Sequence, residues 1–206
     1  MDSSLINTFR GKANERNYCL EQFSDVNGKN QWNCICSAMD WITVAVDEID
    51  FHPKLHLFGS NHGTTMQILS LLMQVALIKE GIEQLHRVLY ETTEVYLKED
   101  KTVWANNPFG QTDNEYFETL RSCFGAHPVN LKGFKQNDAE NKRFASWPFV
   151  GLGEFEVILY PQKTGGEDIS ISISFDQLEQ YANLRYNHLN DLMILLDKKM
   201  AQEEQE

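Results

Sequence analysis

Residues 64–98 constrain this chain more than any other stretch. Their first half, centred on the run from Ile68 to Ile78, is apolar nearly all the way round. The second half keeps Ile82, Leu85, Leu89 and Tyr96 at helical spacing among charged residues. A helix that is apolar on every side is stable only inside a shell of other elements, so the chain has to build a bundle around it. The run contains Gln74 and is too short to span a bilayer, which reads it as a core helix and not a membrane anchor. Gly81 marks a candidate kink.

The neighbouring segments supply that shell. Trp32, Ile35, Met39, Ile42, Val46 and Ile49 follow three-four spacing, which predicts a helix from Gln31 that stops before Phe51-His52-Pro53. Residues 1–30 are weakly patterned, with Leu5, Phe9, Leu20 and Phe23 as candidate anchors and no element assigned. Thr112-x-x-Glu115 fits a capping box. It opens a helix with Phe117, Leu120 and Phe124 on its inner face, expected to run to His127 because Pro128 follows. Past Ser146 the period becomes two. Phe155, Val157 and Leu159, then Ile169, Ile171, Ile173 and Phe175, alternate with polar residues around Pro161 and Gly165-Gly166. This predicts a β-hairpin over residues 153–175 with one apolar and one wet face. A last helix is expected over residues 176–200, capped by Asp176 and Glu179 and carrying Leu178, Ala182, Leu189, Leu192 and Leu196.

The fold class expected is therefore mainly α, a helical bundle with a β-hairpin before the C-terminal helix. At 206 residues with no repeat or low-complexity linker, the chain reads as a single domain, 1–206. The polar N-terminus lacks the apolar core of a secretory signal. Cys19, Cys34, Cys36 and Cys123 show no paired ligand spacing and read as reduced thiols of a cytoplasmic protein. No phosphate-cradling glycine loop, dinucleotide fingerprint or nucleophile elbow is present, which counts against the common nucleotide-dependent and hydrolase classes. His52, His56 and His62 form a loose cluster without metal-ligand geometry, so neither a metal nor another cofactor is expected.

Chemistry concentrates in Arg121-Ser122-Cys123-Phe124-Gly125-Ala126-His127-Pro128. A guanidinium can hold a phosphate through two parallel hydrogen bonds, and an imidazole moves protons near neutral pH. Six residues turn an ideal α-helix by roughly 240°, so Arg121 and His127 converge only through a distorted helix end or a second chain. Gly125 and Pro128 favour such a distortion. The net charge of −12 opposes binding of a polyanion, yet between Arg121 and Trp147 five basic residues face two acidic ones. Arg185 lies on the apolar stripe of the last helix. It is expected either to pair with a core-facing acid such as Asp40 or Asp47, or to face the Arg121/His127 cleft as a second phosphate contact.

The motif resembles the R-x(4–6)-H signature of the HEPN superfamily. Phe117-x-x-Leu120-Arg121-Ser122 followed by Ala126-His127-Pro128, together with Leu184-Arg185-Tyr186-Asn187-x-Leu189, is similar to a bacterial HEPN-like group, over roughly residues 31–196. The resemblance implies a HEPN-like bundle and metal-independent endoribonuclease activity of toxin or anti-phage type. It also implies a homodimer whose two motifs line one cleft, RNA as substrate, and an antitoxin or regulatory protein as partner. Arg121 and His127 would be catalytic, with Ser122 and Arg185 in support. Active members of the superfamily usually carry Asn, Asp or His where this chain has Ser122. That departure leaves a second expectation standing, a non-catalytic HEPN-like binding or regulatory protein in which the Arg/His pair is structural.

Overall fold

A computed structural model describes residues 1–51, 61–126, 142–151 and 154–204, except for the side chains of a few of them. The chain is mainly helical with a small antiparallel sheet. It forms two compact units, each assembled from separate stretches: Met1–Ile49, Gln74–Tyr96 and Ala182–Glu206 make one, Asp50–Met73 and Leu97–Tyr181 the other.

The first unit is all helix. It holds α1 (Ser4–Ala13), α2 (Tyr18–Phe23), α3 (Gln31–Glu48), the later part of α4 (Asn61–Leu89) and α7 (His188–Glu203), with the end of α6 (Phe175–Tyr186). The N-terminal segment therefore carries helices that its weak pattern hid. Ile6, Phe9, Ala13, Cys19 and Phe23 enter the core, whereas the expected anchor Leu20 is exposed. They pack with Ile35, Met39, Ile42 and Val46 of α3, with Ile78, Ile82, Leu85 and Leu89 of α4, and with Leu189, Leu192 and Leu196 of α7. The stripe read from the sequence is the one that α3 buries. Asn30 caps α3 by accepting a hydrogen bond from the Asn33 amide at 3.0 Å.

Helix α4 runs through Gly81 without a break. The glycine serves a close crossing instead, since a Cβ there would stand 2.6 Å from Ile42 Cγ1 of α3. The helix ends at Leu89, nine residues short of the expected Lys98. Glu91 takes a left-handed conformation with φ 54°. The Glu91 amide donates to the Val88 carbonyl and the Thr92 amide to the Arg87 carbonyl. This is the Schellman stop, with glutamate in the position that glycine usually signals. Nor is α4 buried on every side, for Met66 and Met73 are exposed. Residues Thr65–Leu89 are long and apolar enough to cross a membrane by length and composition, yet Ile68, Leu71, Leu72, Val75 and Ile78 are buried within the protein.

The second unit holds the sheet. Strands β3 (Glu154–Pro161) and β4 (Ile169–Ile173) pair antiparallel with Val157 opposite Ile171, the expected hairpin. Its other edge takes up β1 (Arg143–Ala145) and β2 (Phe149–Gly151), so the sheet is three strands wide. Phe155, Val157, Leu159, Ile171 and Ile173 are buried while Ser170 and Ser172 are exposed, as period two requires. Behind the sheet residues the core is aromatic: Tyr181 stacks on Phe117 at 4.8 Å and meets Trp104 at 4.9 Å.

The expected last helix is two. Asn187 separates α6 from α7, and α6 starts at Phe175 because Ser174 caps it, its Oγ accepting from the Gln177 amide at 3.4 Å. The Asp176/Glu179 cap is replaced by a serine two residues earlier.

Candidate functional site

The motif helix α5 (Asp113–Arg121) is held firmly at its start. Thr112 Oγ1 accepts from the Glu115 amide at 3.4 Å, and Glu115 returns a carboxylate to the Thr112 amide at 2.9 Å, the reciprocal box that the sequence predicts. Asp113 is fully buried, and its two oxygens accept from the Val103 and Trp104 amides, each at 2.9 Å. The preceding loop is thereby fixed to the helix. Phe117, Leu120 and Phe124 point inward, leaving Arg121 at the helix end with a side chain 25% exposed.

Arg121 Nη1 lies 3.2 Å from Glu118 Oε2, one turn back on the same helix. A partly exposed pair of this kind is worth about 0–1 kcal/mol. A phosphate offering bidentate hydrogen bonds can therefore displace Glu118 at small expense. The arginine also sits where helix carbonyls concentrate partial negative charge, a favourable place for a cation.

From Ser122 the backbone leaves the α-helix. Ser122–Ala126 forms a π turn, in which hydrogen bonds span five residues instead of four. The turn is packed tightly, since a Cβ on Gly125 would stand 2.1 Å from Leu69 Cδ2. A distortion at this place is one of the two routes by which Arg121 and His127 could converge. His127 itself lies outside the described residues, as do Lys132, Lys135, His52 and His56. Ser122 is half-buried at the first position of the turn. Its neighbour Cys123 is no nucleophile, because burial pushes the thiol up to about 12.

Arg185 belongs to the helical unit, Arg121 to the other. At 1% exposure Arg185 is among the largest fully buried side chains. Of the acids expected to meet it, Asp40 instead pairs with Arg10 at 3.0 Å, and Asp47 is exposed.

A second polar constellation lies in the helical unit. His86 on α4 and His188 at the start of α7 face each other, Nδ1 to Nε2, at 2.9 Å. The other nitrogen of His188 meets Asp191 Oδ2 at 3.0 Å. Tyr96 stacks on the His188 ring at 3.7 Å, and Tyr90 lies 4.6 Å from His86. Burial holds both imidazoles below the usual histidine range. For His86 the His188 ring adds to this, while Glu94 opposes it for His86 and Asp191 for His188. Sequence reasoning passed over these residues because His86 and His188 are 102 positions apart. The only local signal is the His188-x-x-Asp191 spacing on one helix face. Among the described residues no cluster of three or more His, Cys, Asp or Glu side chains could hold a metal ion.

Comparison with protein-family models, curated proteins and solved structures finds no match for this chain.

Proposed function

We propose that this chain is a metal-independent endoribonuclease of toxin or anti-phage type, with Arg121 and His127 as its catalytic pair, acting in the cytoplasm as a HEPN-like homodimer. The observation that carries the reading is the π turn directly after Arg121, because a departure from α geometry at this place is one of the two routes by which residues six positions apart converge. In the reaction, His127 takes the proton from a ribose 2′-OH or gives one to the departing 5′-oxygen. Arg121, released from Glu118, binds the phosphate oxygens on which charge develops. The 2′-oxygen attacks phosphorus, the bond to the 5′-oxygen breaks, and the upstream product ends in a 2′,3′-cyclic phosphate. RNA is the substrate class, and an antitoxin or regulatory protein is the partner that would restrain it.

A second reading has its own observation. The Glu118–Arg121 ion pair suits a structural arginine, and with Ser122 in place of the usual polar residue it favours a non-catalytic binding protein. Incubation of the purified chain with mixed RNA in EDTA separates the two. Cleavage to cyclic-phosphate ends, lowered about two to four orders of magnitude by Arg121→Ala and by His127→Ala, is the expected result. Cleavage that survives both substitutions would place the activity elsewhere. Intact RNA after incubation with folded protein would select the binding reading.

A further inference from the structure

We propose that Asp191, His188 and His86 form a proton-sensitive clasp that holds residues 90–96 on the first turn of α7 near neutral pH and releases them in acid. With both rings neutral, the hydrogen bonds permit one proton arrangement. Asp191, ionised, can only accept, so His188 Nδ1 carries the hydrogen of the 3.0 Å contact. His188 Nε2 is then the acceptor of the 2.9 Å contact, and His86 Nδ1 must be its donor. The one basic site left in the chain is His86 Nε2. A first proton there is tolerated, because an imidazolium at His86 still donates to His188. A second proton is not. It would fall on His188 Nε2 and set two N–H groups against each other at a separation made for one.

What the clasp holds follows from the ring contacts. Tyr96 lies flat on His188 at 3.7 Å and 14°, so His188 is 4% exposed largely under this ring and its neighbours. Two charged imidazoles would have to reach water, and the ring covering them would have to leave. Among the described residues, the charged and titratable groups facing the pair are Tyr90, Glu94 and Tyr96 from the segment that follows α4, and Asp191 from α7. Asp191 and Tyr90 also line a cavity of about 250 Å³ with Lys198. Glu94 and Asp191 oppose the shift, but burial outweighs them and both histidines stay below the ordinary histidine value of 6.5. The sign follows from linkage. Lowered folded values mean that the unfolded or opened form binds more protons, so the closed form is fully stable above 6.5 and loses stability as pH falls. The inference stands apart from RNA cleavage, since every residue in it belongs to the helical unit.

Hydrogen exchange on the full chain, corrected for the intrinsic pH dependence, provides the test. Between about pH 7.5 and 5, amides of residues 90–96 should open at least about tenfold more often, while the α3 amides hold. His86→Asn keeps an N–H donor for His188 and removes the titrating ring, so its acid opening should be smaller than that of the unchanged protein. Equal acceleration in both proteins, or none in the unchanged one, overturns the proposal. Should His86→Asn not fold, nitrogen NMR of the unchanged protein decides. Nδ1-protonated His188 at neutral pH, with the two rings titrating as a coupled pair below the ordinary range, supports the clasp; independent titration of the two rings refutes it.

Discussion

Two arginines stand out at the residue scale, and burial divides them. Arg185, at 1% exposure, has no access to solvent through which a phosphate could reach it. Arg185→Ala should therefore lower folding stability by about 3–5 kcal/mol, the loss expected when one member of a buried polar set is removed. Urea unfolding checks this, and a change under about 1 kcal/mol would return Arg185 to the list of surface ligands. Arg121 is the opposite case. Its carboxylate partner is half exposed, at 48%, and exchangeable. Glu118→Gln should leave stability within about 0.5 kcal/mol and tighten RNA binding up to about tenfold, because this ion pair then no longer competes with the phosphate. Filter binding at fixed salt reads the second effect. Weaker binding would mean that Glu118 orients Arg121 for the phosphate and does not compete with it.

At the scale of elements, the legible parts were those whose signal is local. The α3 stripe, the Thr112/Glu115 box and the alternation of β3 and β4 each depend on residues a few positions apart, and each formed where the pattern put it. The misread parts depend on backbone geometry or distant partners. Glu91 stops α4 from a left-handed conformation that its side chain gives no reason to expect, so the pattern of residues 64–98 ran on past the true end. Strands β1 and β2 are three residues each, too short to show a period, and exist because β3 offers them an edge. Of the candidate site, Arg121 and its helix were legible, whereas the His86–His188 contact was invisible across 102 positions. The helix stop yields a clean test. Glu91→Gly should be more stable than Glu91→Ala by about 1 kcal/mol, since both lose the contact with Lys199 and only alanine keeps a Cβ in the left-handed region. Thermal unfolding of the two variants measures the difference, and equal melting would mean that residue 91 leaves that conformation when substituted.

The whole molecule is acidic, with a net charge of −12, and this shapes how it would meet a polyanion. At low salt the full charge acts at a distance and repels RNA. The Debye length is about 30 Å at 0.01 M and about 10 Å at 0.1 M, so added salt silences distant carboxylates before it silences Arg121 and the basic residues that follow it in sequence. Further salt then competes for the phosphate contacts themselves and weakens binding, as counterion release requires. Two opposing effects with different ranges give a maximum. For the proposed ribonuclease, the cleavage rate at subsaturating RNA should rise between about 0.01 and 0.1 M salt and fall well above it. A monotonic fall from the lowest salt is the signature of a basic surface that dominates at every distance. Such a surface would have to come from the local excess of basic residues between Arg121 and Trp147 outweighing the net charge even at long range. Light scattering across the same salt series, run beside the kinetics, tells whether assembly changes where the rate does.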